Sequence, residues 1–361
     1  MMLKNRRRLG LLTCGVALSL AALTGCSSGT GGGGSGDQPL IGLSMRYVAG
    51  NAWLTTLTDA VKAEGKQRGY AVEADDAQGT AATQIQQIHT LINKGAKAII
   101  MEPVGDRNVA AGINAAKKAG VPVIVVNDRV APELATKVTC NVFDDGFATA
   151  KQVGARTAEV AASRYAGAPQ INLYIQALFP QELVTQTREG GFMEGWNEYF
   201  KAHPGPRTNR IPNNYGQALP DTTLTAMRNV LAGNPDIHVI FNQTDVVMGA
   251  VNSALRGAGL MRSDGTTKVT IAGFDGGMHI VTAMAKNPNS PVVADGLNQP
   301  ATQAGYAVEE AIAAIKGQPT GKCEGSPPNR VLPPVIATPD NAREFVNPGL
   351  QFAGSLKEGQ R

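Results

Sequence analysis

The sequence predicts an α/β protein built from two doubly wound units, each around a parallel sheet. Three observations predict it. Short apolar runs alternate with longer segments of helical periodicity, both are punctuated by Gly or Pro, and the alternation restarts near residue 147. The length of 361 residues with 43% hydrophobic composition suffices for two ordinary domains.

In the first unit Leu40 to Met45 reads as a strand, and Trp53 to Arg68 as a helix that buries Leu54, Leu57 and Val61 and stops at Gly69. Tyr70 to Ala74 is the second strand. A helix over Ala81 to Lys94 sets Ile85, Ile88, Leu91 and Ile92 on one face, and the buried strand Ala98 to Met101 follows. Asn108 to Ala119 is helical and Val121 to Val126 is the fourth strand. The second unit repeats the pattern: helices over Phe147 to Ser163, Thr185 to Phe200, Leu219 to Leu231 and Val246 to Ala258, and strands over Ile171 to Ile175, Arg207 to Ile211, His238 to Phe241, Val269 to Phe274 and Val292 to Leu297. Phe192 and Trp196 lie on one helical face and are expected in the core.

Ahead of this pattern, Lys4, Arg6, Arg7 and Arg8 precede an apolar run from Leu9 to Leu23, then Thr24-Gly25-Cys26. This is the form of a signal peptide, residues 1–25, ending in a lipobox. Cleavage would leave Cys26 as a lipidated N-terminus, a hydrophobic anchor to the membrane. Residues 26–39, rich in Gly and Ser, read as a flexible tether. The 33 Lys and Arg include four within residues 1–25, which hold no Asp or Glu, so the remainder carries 29 basic against 29 acidic residues. A neutral chain has no electrostatic footprint for nucleic acid or for a polybasic membrane contact. With Cys14 removed and Cys26 lipidated, Cys140 and Cys323 remain, either as one disulfide in an oxidising compartment or as two buried small hydrophobes. Their spacing suggests no metal, and no cofactor is expected.

In open parallel sheets ligands bind beyond the carboxyl ends of the strands. The residues there are Arg46, Tyr47, Asn51 and Trp53, then Glu102, then Asn127, Asp128 and Arg129; in the second unit they are Gln176, Thr244 with Asp245, Asp275 and Asn298. Carboxylates beside guanidinium and amide groups suit a neutral molecule dense with hydroxyls, and Trp53 offers an apolar face to a sugar ring. Each also has a structural reading, since Asp or Asn at a strand end commonly caps a helix or turn; Asp245 stands where it would cap the helix at Val246. Arg188 suits pinning a loop as well as gripping a ligand.

Ile41-Gly42-Leu43 leading to Asn51-Ala52-Trp53, Val123 to Arg129, Arg188-Glu189-Gly190-Gly191-Phe192, Asn234-Pro235-Asp236, Phe241-Asn242-Gln243-Thr244-Asp245 and Ile271 to Gly276 resemble, in order and spacing, the ribose- and galactose-binding type I periplasmic binding proteins of ABC importers. The resemblance implies two Rossmann-like lobes joined by a three-crossover hinge and closing over a monosaccharide. The first lobe is then expected over 40–140 plus about 299–330, and the second over 141–298 plus about 331–352. It implies that Asn51 and Trp53 supply an amide and a stacking aromatic, that Asp128 and Arg129 grip hydroxyls, and that Asp275 and Asn298 act from the second lobe and the hinge. Arg46 joins the ligand-binding set from the first strand end. Two expected contacts depart from the family: Gln186 stands where relatives carry an arginine, and Thr244 where they carry an asparagine. The second stacking aromatic has no clear counterpart, Tyr215 being the nearest. These departures leave a modified sugar or acyclic polyol open.

The four histidines show no metal-ligand spacing, and neither a Gly-x-Ser-x-Gly elbow nor a Gly-rich phosphate loop is present, so catalysis is not expected. A sugar-sensing repressor would need a basic helix-turn-helix where this chain has a secretion signal. The expectation is a monomeric, lipid-anchored receptor at the cell surface or in the periplasm that hands a sugar or polyol to ABC permease subunits. A receptor for a nucleoside or signalling molecule, or one coupled to a sensor, is the alternative.

Overall fold

The computed structural model describes residues 38–353. The signal segment, Cys26 and residues 27–37 of the tether lie outside them. The first series runs β1 (Leu40–Met45), α1 (Ala52–Gln67), β2 (Ala71–Asp76), α2 (Ala81–Asn93), β3 (Ala98–Met101), α3 (Ala110–Lys118), β4 (Val123–Val126), α4 (Pro132–Ala135) and β5 (Cys140–Asp144). The second runs α5 (Gly146–Arg164), β6 (Gln170–Ala177), α6 (Leu183–Ala202), β7 (Arg207–Arg210), β8 (Asn214–Tyr215), α7 (Pro220–Gly233), β9 (Val239–Asn242), a tight turn Asp245–Val247, α8 (Met248–Gly257), β10 (Thr270–Phe274), α9 (Met278–Lys286) and β11 (Val292–Gly296). The chain then returns through α10 (Pro300–Lys316) and β12 (Asn329–Leu332) and crosses once more to β13 (Ile336–Ala337).

These elements make two sheets. The first has the order β12-β5-β4-β3-β1-β2 and is parallel throughout; the second has the order β13-β11-β10-β9-β6-β7, parallel except for β13, with β8 also paired to β6. Helices cover both faces of the first sheet, which is why its inner strands read as unbroken apolar runs. Alternate residues face opposite cores: Ala98 and Ile100 pack with α1 and α10 through Leu57 and Val308, while Ile99 and Met101 pack with α2 and α3 through Ile88 and Ile113. In the second sheet Ile271 faces Val251 and Val281, and Ala272 and Phe274 face Phe192 and Trp196. Trp196 is fully buried, and its indole N–H donates to Thr208 Oγ1 at 2.8 Å.

The chain crosses between the sheets three times, after β5, after β11 and after β12. The lobe limits expected at 140/141 and 330/331 therefore fall inside β5 and β12, which pair with each other from Asn141 and Asn329 to Asp144 and Leu332. Neither β5 nor β12 is among the strands read from the sequence.

Cys140, the first residue of β5, is bonded to Cys323 in the loop after α10, with Cα atoms 5.9 Å apart. The disulfide thus ties the returning segment to the first lobe. The C-terminal segment is a strap. Gln351 and Ala353 join Met278 and Gly276 of the second lobe through backbone hydrogen bonds of 2.8 and 2.7 Å, while Phe352 packs in the core of Trp53, Leu54 and Leu57.

Helix α6 approaches α5 through glycines. A Cβ on Gly195 would lie 1.9 Å from Lys151 O, and one on Gly154 2.0 Å from Phe192 O. This close crossing sets the position of the first turns of α6, which border the space between the sheets.

Candidate functional site

The carboxyl ends of both sheets face one cleft, lined by Arg46, Trp53, Glu102 and Asp128 from the first lobe and by Arg188 and Asp275 from the second. Arg46 ends up buried because it directly follows β1. Its Nε donates to Pro103 O at 2.8 Å, Nη2 lies 3.1 Å from Asp128 Oδ2, and Nη1 lies 3.0 Å from Glu182 Oε2. Glu182 immediately precedes α6, so this last pair spans the cleft. Burial alone would favour the neutral guanidine, but Glu102, Asp128 and Glu182 outweigh it and raise the Arg46 pKa. Glu102 accepts from Arg46 N and Asn127 Nδ2, each at 3.3 Å. Burial pushes its carboxyl well above the usual range despite Arg46, and nearby Asp128 adds to the shift. Burial also raises Glu182, with Arg46 opposing.

The second-lobe half is built around Asp275. Its Oδ1 lies 3.0 Å from Arg188 Nη2, and its Oδ2 accepts from Thr244 Oγ1 at 2.5 Å. Arg188 also donates to Gln243 O and stacks on Phe274 with 4.1 Å between guanidinium carbon and ring centroid. Burial raises the Asp275 carboxyl, and Arg188 and Thr244 oppose it. In the amide orientation that satisfies both ends, Asn298 lies 2.8 Å from Asp144 Oδ2 and 3.1 Å from Arg188 Nη2. Asp144, at the end of β5, also accepts from the backbone and side chain of Gln299, each at 3.1 Å, and from Gln303. This network joins the first and second crossovers.

Trp53 is buried beside the cleft and donates from Nε1 to Asn298 O at 3.0 Å, so its ring is fixed against the hinge. Asn51 lines the cleft and also caps α1, its Oδ1 accepting from Leu54 N at 3.0 Å. The structure thus brings together Arg46, Asn51, Trp53, Asp128, Thr244, Asp275 and Asn298.

Two expected residues stand apart. Gln186 is exposed and donates to Gln181 O at 3.2 Å, because the buried face of α6 carries Thr185, Arg188 and Phe192; Arg188, four residues before Phe192, is the cleft residue. Arg129 does not share the Asp128 cluster. Exposed, it borders an adjoining recess, donating to Thr187 Oγ1 at 3.1 Å with its guanidinium over Phe143. Asp128 and Arg129 are successive residues after a left-handed Asn127 (φ 66°), and successive side chains diverge.

Other residues were missed. Phe179, just beyond β6, lines the cleft and lies 5.1 Å under the Arg46 guanidinium, whereas Tyr215 sits exposed on β8. Its place after a strand was the available signal. Glu182 had none, since its partner lies 136 residues away. Asp245 does not cap the following helix: its Oδ2 accepts from Gly277 N at 2.7 Å. Among the described residues, no group of three or more His, Cys, Asp or Glu side chains is placed to hold a metal ion, and no helix is long and apolar enough to cross a membrane.

Residues 41–319 match the family model described as a periplasmic binding protein domain. The chain belongs to the periplasmic binding protein family. This is a family of extracytoplasmic binding domains rather than enzymes. Among curated relatives of this periplasmic binding protein, the ribose import binding protein of Bacillus subtilis is 24% identical over 318 residues, covering 86% of this chain and 95% of the relative. The D-apiose import binding protein of Actinobacillus succinogenes is 24% identical over 310 residues, covering 86% and 90%. A solved ABC transporter solute-binding protein from Mycobacterium smegmatis with bound glycerol superposes with a TM-score of 0.72 at 24% identity, covering 88% of this chain and 99% of that one; it shows the shared fold.

Proposed function

We propose that this chain is the extracytoplasmic solute-binding lipoprotein of an ABC importer, and that it captures a monosaccharide or sugar alcohol between its lobes by hinge closure. The observation that carries the reading is the single cleft into which both lobes project arginine–carboxylate sets, with Trp53 fixed at its wall. Ribose and apiose import by the curated relatives supports it, as does the glycerol held by the solved structure.

The ligand is expected to be uncharged. Arg46 and Arg188 are both committed to protein carboxylates and carbonyls, and the first-lobe half gathers three carboxylates around one guanidinium. An anionic sugar would meet excess negative charge, while hydroxyls find acceptors in Asp128 and Asp275 and an amide in Asn298. Asn51, Trp53, Thr244 and Arg46 complete the proposed ligand shell. Closure brings Glu182 to Arg46 and makes the composite surface that permease subunits would read. Lys4 to Cys26 supports export and lipid anchoring, with residues 26–39 as leash and a monomer as the unit. The lobes are proposed over 40–144 with 299–332, and 145–298 with 333–352.

A thermal-shift screen against pentoses, hexoses, sugar acids, amino sugars, sugar alcohols and nucleosides tests the reading, because a ligand at 100 times its Kd adds about 2.7 kcal/mol. A shift confined to neutral sugars or polyols is expected. A shift with nucleosides alone would replace the sugar by a non-sugar ligand. Cys26→Ala should release the protein from the membrane fraction, and retention there would refute the anchor.

A further inference from the structure

Three aspartates meet where β9, β10 and β11 end. Asp275 faces the cleft, and Asp245 and Asp295 lie behind it, buried to 2% and 0% exposure. The two carboxyls flank one point, the place where a Cβ on Gly273 would stand, with Asp245 Oδ1 2.7 Å and Asp295 Oδ1 3.2 Å from it. Each also holds one backbone N–H of the turn that follows Asp275: Asp245 Oδ2 accepts from Gly277 N at 2.7 Å, and Asp295 Oδ1 from Gly276 N at 3.4 Å. Asp245 Oδ1 and Asp295 Oδ2 are buried and accept from no donor among the described residues. Ionised carboxylates are acceptors only, so two such neighbours can bond each other only when one carries a hydrogen.

We propose that Asp245 and Asp295 are positioning residues that share one proton, and that this acid–carboxylate hydrogen bond holds the Asp275-Gly276-Gly277 turn in the geometry that aims Asp275 into the cleft. The turn needs holding. Asp275 has φ 106° and Gly276 φ 75°, a conformation costly for a residue with a Cβ. The strap holds the same turn from its other side, through Ala353 N to Gly276 O. Room for the paired carboxyls comes from the missing Cβ of Gly273.

The charged and titratable neighbours are few. Asp275 is a third carboxyl beside the pair, Arg188 of α6 spends its own contacts on Asp275 and Gln243 O, and His279 of α9 stands beside Gly277. Burial raises both carboxyls above the ordinary range, and the proximity of Asp275 adds to it. Removing the shared proton at alkaline pH would leave two anions face to face without water, and the turn would shift.

The effect on ligand rests on the assignment of Asp275 above; the shared proton does not. In protein labelled with 15N at glycine, the Gly276 and Gly277 amide resonances should titrate together with a midpoint above the ordinary carboxylate range. The same resonances should be flat in Asp295→Asn and in Asp245→Asn, whose amide donates without a proton. The melting temperature of Asp295→Asn relative to the parent should rise with pH, because stability from a raised carboxyl is present below its unfolded pKa and lost as pH rises through the folded one. Flat Gly276 and Gly277 resonances in the parent, or a titration unchanged in both variants, would overturn the proposal. A positive titration with no sugar shift would count against the ligand reading alone, and a flat titration with a clear sugar shift against the proton pair alone.

Discussion

In the first-lobe half of the cleft one guanidinium, Arg46, faces Glu102, Asp128 and Glu182, the last from the opposite lobe; in the second-lobe half Arg188 meets Asp275 one to one, within a single lobe. The second arrangement is complete whether or not the lobes meet. The first is complete only when they do, and its surplus of carboxylates makes it sensitive to protonation. One half is complete within a lobe, and the other depends on contact between the two.

The largest effect should come from breaking the half that is complete within one lobe. Asp275→Ala leaves Arg188 buried without its carboxylate, which should cost about 3–5 kcal/mol in urea unfolding and abolish calorimetric binding of any sugar that shifts the melting temperature. Asp128→Ala should weaken the same binding but leave Arg46 with two carboxylates, so a stability loss under about 1 kcal/mol is expected. Equal losses for the two variants would erase the contrast. Next comes Phe352→Ala. Removing a buried aromatic ring that straps the second lobe to the first-lobe core should cost about 3 kcal/mol, read from the urea midpoint.

A smaller effect separates the halves by pH. Glu102 is raised, so its stabilising contribution is full below the unfolded carboxylate pKa, near 4.3, and is lost as pH rises through the folded value. Glu102→Gln should flatten that decline by something on the order of 1–2 kcal/mol in a melting series, and a parallel decline in both proteins would remove Glu102 from the account. The smallest change is expected for Glu182→Gln, about 1 kcal/mol, because Glu182 is 27% exposed. Its clearer sign should be a larger radius of gyration in solution scattering without ligand; an unchanged radius would show that the Arg46–Glu182 pair does not hold the lobes together.

Much of this was written locally. Leu40–Met45 and Ala98–Met101 appear in the structure with the limits read from the sequence, since a buried parallel strand is an apolar run bounded by turns. Arg46, Asp128 and Asp275 were legible because strand ends point at the cleft in any such sheet. Helices α9 and α10 were not identified; α10 in particular is rich in alanine and buries small residues such as Ala304, Ala307 and Ala311. Gln186 was preferred for the cleft over a register that Phe192 and Trp196 already implied, in which Arg188 points inward.

The sequence by itself determined the α/β class, the two series of elements and the polar character of the strand ends, because periodicity and turn chemistry act over a few residues. Tertiary structure decided that Cys140 bonds Cys323, that Arg46 meets Glu182, and that Asp245 faces Asp295. Those partners are separated by 50 to 183 residues, and only the crossing of the chain between two sheets, with the close seating of α6 on α5, brings their side chains within reach.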